Sequence, residues 1–241
     1  MKTIKISIIP IVLAILVQAA SASERQWGSW DFFAKAGINL GGTMPYPMPN
    51  SISRVESYSP NLAPTIEAET IMWLNKKVGV STGLRFENKG MRSKASVKEY
   101  SMNFGDFHGK FGGTVDTEMS FNYLGLPISA HYAIMENFFV YAGAYYAYLI
   151  NGEFKGVASD GTLNDGNGKK DINREEYNFS NELRNHDVGL SIGMNFLPYN
   201  EHFLLSLNFN YGLVSVFPNE FNGVSDDMQN IYGKLSVGYL F

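Results

Sequence analysis

Apolar and polar residues alternate with a period of two over eight stretches of the chain, the pattern of strands whose two faces meet different surroundings. In "DVGLSIGMNF" (187–196), Val188, Leu190, Ile192, Met194 and Phe196 share one face, while Asp187, Gly189, Ser191, Gly193 and Asn195 share the other. "FLLSLNFNYGLV" (203–214) sets Phe203, Leu205, Leu207, Phe209, Tyr211 and Leu213 against Ser206, Asn208, Asn210 and Gly212, with Leu204 out of phase. The final "YGKLSVGYLF" (232–241) opposes Leu235, Val237, Tyr239 and Phe241 to Lys234, Ser236 and Gly238. Stretches 33–40, 65–74, 78–87 and 123–134 repeat the scheme. The remaining one, "FFVYAGAYYAYLI" (138–150), is aromatic on both faces, and its pattern assigns no inward side.

The connections between these stretches alternate in length. "NKK" (75–77), "MEN" (135–137) and "PYNEH" (198–202) are short, whereas 41–63, 88–120, 151–184 and 217–229 are long. Tight periplasmic turns and extended outer loops mark an outer-membrane barrel. The predicted fold is therefore all-β, an eight-stranded antiparallel up-and-down transmembrane β-barrel. Two soluble folds compete with it. A lipocalin-like barrel turns its apolar face inward, and a sandwich packs the apolar faces of two sheets together. The Gly-, Ser- and Asn-rich polar face and the regular long–short alternation favour the membrane barrel.

The first residues, "MKTIKISIIPIVLAILVQAASAS", carry Lys2 and Lys5, then an apolar run, then Ala20-Ser21-Ala22. This is the build of a secretory signal peptide over 1–22, leaving 23–241 as the barrel domain. The apolar run is broken by Ser7 and Pro10 and lacks a basic stop-transfer flank, which disfavours a membrane-anchoring helix. The chain has no cysteine, which excludes a disulfide framework and an N-terminal lipid anchor. Its formal net charge of −4 becomes more negative once Lys2 and Lys5 are removed, so a nucleic-acid partner is not expected. The 17 Phe, 14 Tyr and 24 Gly, with no long apolar helix, suit a barrel in lipid. The expected location is the outer membrane of a Gram-negative bacterium, with outer-membrane lipid as the surroundings and a monomer as the assembly.

In a closed barrel the last strand pairs with the first, so a chain can finish inside the sheet without exposing polar groups to hydrocarbon. Tyr239 and Phe241 then form an aromatic C-terminal signal of the kind presented to the outer-membrane insertion machinery. The same face assignment sends Lys35, Glu67, Glu69, Arg85, Glu87, Asp187 and Lys234 into the lumen, with His131 nearby. Isolated burial of such charges costs several kcal/mol each, so they must pair. The interior of an eight-stranded barrel is only wide enough to be filled by side chains. A polar plug is expected there rather than an open path.

Catalytic chemistry is not prominent. His186 and Asp187 are adjacent and fall on opposite faces of a strand, so they form no dyad. An enzyme would have to build on His108 and loop serines, for which the spacing offers no support. Asp160, Asn164, Asp165, Asn167 and Asp171 are oxygen donors of the type calcium takes, but they miss the D-x-[DN]-x-[DN]-G spacing, and such clusters are ordinary turn chemistry. No cofactor is expected.

"GLRFENKG" (83–90), "YLGLPISAHYAI" (123–134), "FFVYAGAYYAYLINGEFKG" (138–156) and "HDVGLSIGMNF" (186–196) resemble, in order and spacing, the PorT-type outer-membrane β-barrel domain of Bacteroidetes-like bacteria. The resemblance covers essentially the whole chain after the leader. It implies a porin-like barrel and carries over no active-site residues, because the shared motifs are structural. Where that family has a lysine in the fourth strand, this sequence has His131. The expected function is a non-enzymatic anchor presenting long extracellular loops to a ligand or protein partner. The alternative is a small porin-like channel for ions or small solutes.

Overall fold

A computed structural model describes residues 26–61, 63–104, 107–166, 168–198, 202–224 and 226–241. The expected signal peptide, 1–22, lies outside the described residues. Ten strands follow in chain order: β1 (Trp30–Pro45), β2 (Ile52–Pro60), β3 (Ala63–Trp73), β4 (Val78–Phe104), β5 (Phe107–Met135), β6 (Phe138–Asn164), β7 (Lys169–Asn178), β8 (His186–Phe196), β9 (Phe203–Gly212) and β10 (Met228–Leu240). Eight of them, in the order β1-β3-β4-β5-β6-β8-β9-β10, form an antiparallel ring. The β1–β10 ladder closes it, with Lys35 opposite Gly238 and Asn39 opposite Lys234.

Closure explains the alternation. Within the ring, Arg85, Glu87, Ser129, Ser191, Asn208 and Ser236 are buried, whereas Ile66, Leu84, Ile128, Ile192, Leu207 and Val237 point outward and remain 50–65% exposed. That outward apolar belt is the surface a bilayer covers. Strand β6, aromatic on both faces, is settled by its neighbour: Tyr145 lies opposite Gly189, and Tyr141 opposite Gly193. A Cβ at either glycine would run into the facing tyrosine ring, so these glycines make room for Tyr141 and Tyr145 to turn inward. Tyr146 and Tyr148 consequently face outward.

Three of the four long connections, 41–63, 88–120 and 151–184, are not irregular loops but largely strand. Strands β4, β5 and β6 continue well beyond the apolar belt, and β2 and β7 line up above β3 and β8 to flank them. The result is a five-stranded ribbon, β2-β4-β5-β6-β7, standing on the ring. The residues from Asn88 to Phe104 alone reach about 50 Å at the usual strand rise. Sequence periodicity misses these strands because bulges interrupt them. Register shifts occur at Val97/Tyr100, Gly112/Thr114 and Asn122/Tyr123, each moving side chains to the opposite face. A row of asparagines marks the change of surroundings: Asn88 Nδ2 donates to Asn122 Oδ1 at 2.9 Å, and Asn122 Nδ2 donates to Asn151 Oδ1 at 2.7 Å.

Candidate functional site

The lumen holds one connected network of charges. His131 Nε2 lies 2.8 Å from Ser81 Oγ and 3.5 Å from Glu69. Glu69 pairs with Lys35 at 2.5 Å, and Lys35 reaches Glu67 at 3.2 Å. Glu67 also takes Lys234 at 2.5 Å, and Arg85 stands 3.9 Å from it. Arg85 pairs with Glu87 at 3.2 Å, Glu87 with Lys89 at 3.4 Å, and Lys89 with Asp187 at 2.8 Å. Asn230 Nδ2 then donates to Asp187 at 3.0 Å, and Thr43 Oγ1 donates to Asn230 Oδ1 at 2.7 Å. Aromatic faces support the cations: Lys89 Nζ is 4.9 Å from the Tyr145 ring centre and 5.0 Å from that of Tyr123.

Apolar clusters close this ladder at both ends. At the short-turn end, Phe33, Ile71, Trp73, Phe139, Leu197, Leu204 and Leu240 are buried together. Trp73 meets Phe139 edge-on at 5.9 Å, and the His131 ring lies 5.7 Å from Phe139. Leu204, out of phase in the sequence, is a member of this floor. At the ribbon end, Phe154, Tyr177, Phe179 and Phe217 pack into a larger cluster, with Phe217 stacked on Phe221 at 4.4 Å. Arg184 holds the covering segment down: its Nε donates to the Ser215 carbonyl at 2.9 Å and its Nη2 to that of Phe217 at 3.1 Å.

A closed eight-strand ring with an apolar exterior and a paired polar interior fits a single class of protein, and the sequence comparison agrees: residues 18–218 match the outer membrane protein beta-barrel domain. The chain belongs to that family. Membership places it in the outer membrane of a Gram-negative bacterium. Among curated proteins no sequence matches it. Among solved structures this barrel is similar to Ail, the attachment invasion locus protein of Yersinia pestis, at 13% identity and a TM-score of 0.41, over 89% of this chain and 99% of that one. It is also similar to OprG of Pseudomonas aeruginosa, at 13% identity and a TM-score of 0.37, over 91% and 99%. The outer membrane protease OmpT of Escherichia coli aligns at 12% identity and a TM-score of 0.35, over 89% and 94%.

Lys35, Glu67, Glu69, Arg85, Glu87, His131, Asp187 and Lys234 are all buried inside this outer-membrane barrel and belong to one network. Lys89 joins them and is absent from the sequence reading. The period-two series Arg85, Glu87, Lys89 carries the signal, but Lys89 falls just past the end assigned to the strand. With it, four cations face four carboxylates. Tyr239 is on the outward face, its ring 5.1 Å from that of Phe241, whose amide donates to the Phe32 carbonyl at 3.0 Å. His186 stacks outward on Tyr146 while Asp187 faces the lumen, and His108 is exposed near the tip of the β4–β5 hairpin.

Of the loop residues with calcium-type oxygens, two are engaged in a turn. Asn164 Oδ1 and Asp165 Oδ1 accept the amides of Gly166 and Gly168 in the β6–β7 turn, and Asn167 lies outside the described residues. Among the described residues no group of three or more His, Asp or Glu is arranged to hold a metal.

Proposed function

We propose that this protein is a non-conducting, non-enzymatic outer-membrane anchor that holds its β-ribbon outside the cell for contact with a partner. The observation that carries the reading is the double closure of the lumen. A ladder of four cations and four carboxylates, each in at least one ion pair, lies between the Trp73–Phe139 floor and the Phe154–Phe217 roof. Ion passage would require breaking buried pairs and opening both apolar ends, and removing one partner from such a pair costs about 3–5 kcal/mol. The short turns then face the periplasm and the ribbon the exterior, as strand connections do in outer-membrane barrels. In the same reading the chain is a PorT-type member, exported through the 1–22 leader, inserted through its Tyr239/Phe241 terminus, and monomeric.

Conductance in planar bilayers tests the proposal. Purified wild-type protein is expected to give no steady unitary currents. Steady currents would replace the anchor with the porin-like channel. The ribbon's role is read separately, by capture of partners from native membranes with and without residues 91–119 and 153–178. Loss of a partner from a barrel that still inserts supports the ribbon; an unchanged set of partners rejects it.

A further inference from the structure

Inside the ribbon, above the lumen, lies a cavity of about 270 Å³ whose lining contains no charged side chain among the described residues. Six of the chain's ten methionines line it: Met44, Met48, Met91, Met102, Met119 and Met228. Most of the hydroxyls in its lining are already engaged within the protein. Thr117 and Tyr177 share a hydrogen bond of 2.6 Å, Thr43 donates to Asn230, and the Tyr58 hydroxyl donates to the Gly41 carbonyl. Burial pushes the Tyr177 phenol well above its ordinary range, so it stays neutral. A polar ligand would find little to bond, and a charged one would find no counter-charge.

The cavity also has an entrance. The β1–β3 ladder ends at Asn39 opposite Ala63, and β1 above that point pairs with β10. Strand β2 pairs with β4 on its other side. A seam between β1 and β2 results, and Met48, Val55 and Tyr58 line the cavity while remaining 43–50% exposed. Methionine side chains are flexible and polarizable, suited to closing around apolar molecules of differing shape. A dry apolar cavity of about 150 Å³ already accepts a benzene-sized molecule.

We propose that this methionine-lined cavity is a binding site for a small, uncharged, apolar molecule of one to two fused rings or comparable bulk, entering from outside through the β1–β2 seam. The site does not depend on whether the barrel conducts.

The test uses the full protein in lipid nanodiscs, with methionine methyl groups labelled with carbon-13 and naphthalene as the probe. The six cavity methyls are expected to shift saturably. Met135 and Met194, which point outward at 64% and 42% exposure, report partition of the probe into lipid and are expected to move only in proportion to concentration. Naphthalene-2-sulfonate, the same ring bearing a charge, is expected to bind at least tenfold more weakly. Ala95→Phe, which fills the cavity from β4, is expected to weaken naphthalene binding at least tenfold while Met135 and Met194 keep their wild-type positions. Failure of the cavity methyls to saturate in the wild-type protein overturns the proposal, including the case in which a lipid tail holds the site. Equal binding of the sulfonate overturns its uncharged specificity.

Discussion

Strand β4 passes through two solvents, and its halves are chemical opposites. From Val78 to Lys89 the inward positions are Ser81, Arg85, Glu87 and Lys89, and the outward ones include Val80, Leu84 and Phe86. From Met91 to Val97 the inward positions are Met91 and Val97, and the outward ones are Arg92 and Lys94. No bulge separates the halves; odd-numbered residues face inward throughout. What changes is the medium outside. Where hydrocarbon surrounds the barrel, charge is stable only within, paired. Where water surrounds the ribbon, the ordinary rule returns and apolar side chains collect inside.

Removing a charge from the lumen and adding one to the outward belt should therefore both destabilise the barrel. Lys35→Met leaves Glu67 and Glu69 without the cation they share, and should destabilise the barrel by about 3–5 kcal/mol in urea unfolding from lipid vesicles. If the loss is near zero, the ladder is not what holds the ring. Leu207→Lys puts a charge on the outward belt, half exposed in the isolated chain, and should cost about 2–4 kcal/mol in the same assay. A lysine already stands outward at position 94 in the ribbon, so a negligible effect at 207 would mean that β9 does not face lipid. The smallest effect is expected at Arg92→Ala. The hydrogen bond from Arg92 holds the Glu118 carboxyl below its ordinary range. Because the folded value lies below the unfolded one, the contribution is present at neutral pH and disappears as pH falls through that lowered value. In the variant, Glu118 should titrate at higher pH by NMR, with stability scarcely changed because both side chains are exposed.

The membrane-spanning half was legible because lipid on one side and a packed lumen on the other impose an unbroken two-residue period. All eight ring strands and the inward set from Lys35 to Lys234 follow from it. The ribbon was not legible, for two reasons visible in particular residues. In β6 the phase reverses where Asn122 pairs with Asn151 and Tyr123 with Leu149, so Phe154 and Ala158 continue inward at even numbers after Tyr145 and Ala147 at odd ones. In β4 the Val97/Tyr100 bulge, with Glu99 at a φ of 52°, does the same for Tyr100 and Met102. The inward side of 138–150 depended on Gly189 and Gly193, which become neighbours only once β6 and β8 have paired. Likewise, Leu204 looked like an error of phase until Trp73 and Phe139 gave it a floor to complete.

The asparagine row across β4, β5 and β6 sets a draught line for the molecule. Each amide there is bonded to the next, and the apolar belt begins directly below. Sinking by one residue pair would submerge those amides in acyl chains; rising by one would wet a ring of leucines and tyrosines. Two penalties that act in opposite directions thus fix how deep the ribbon end of the barrel sits in the bilayer.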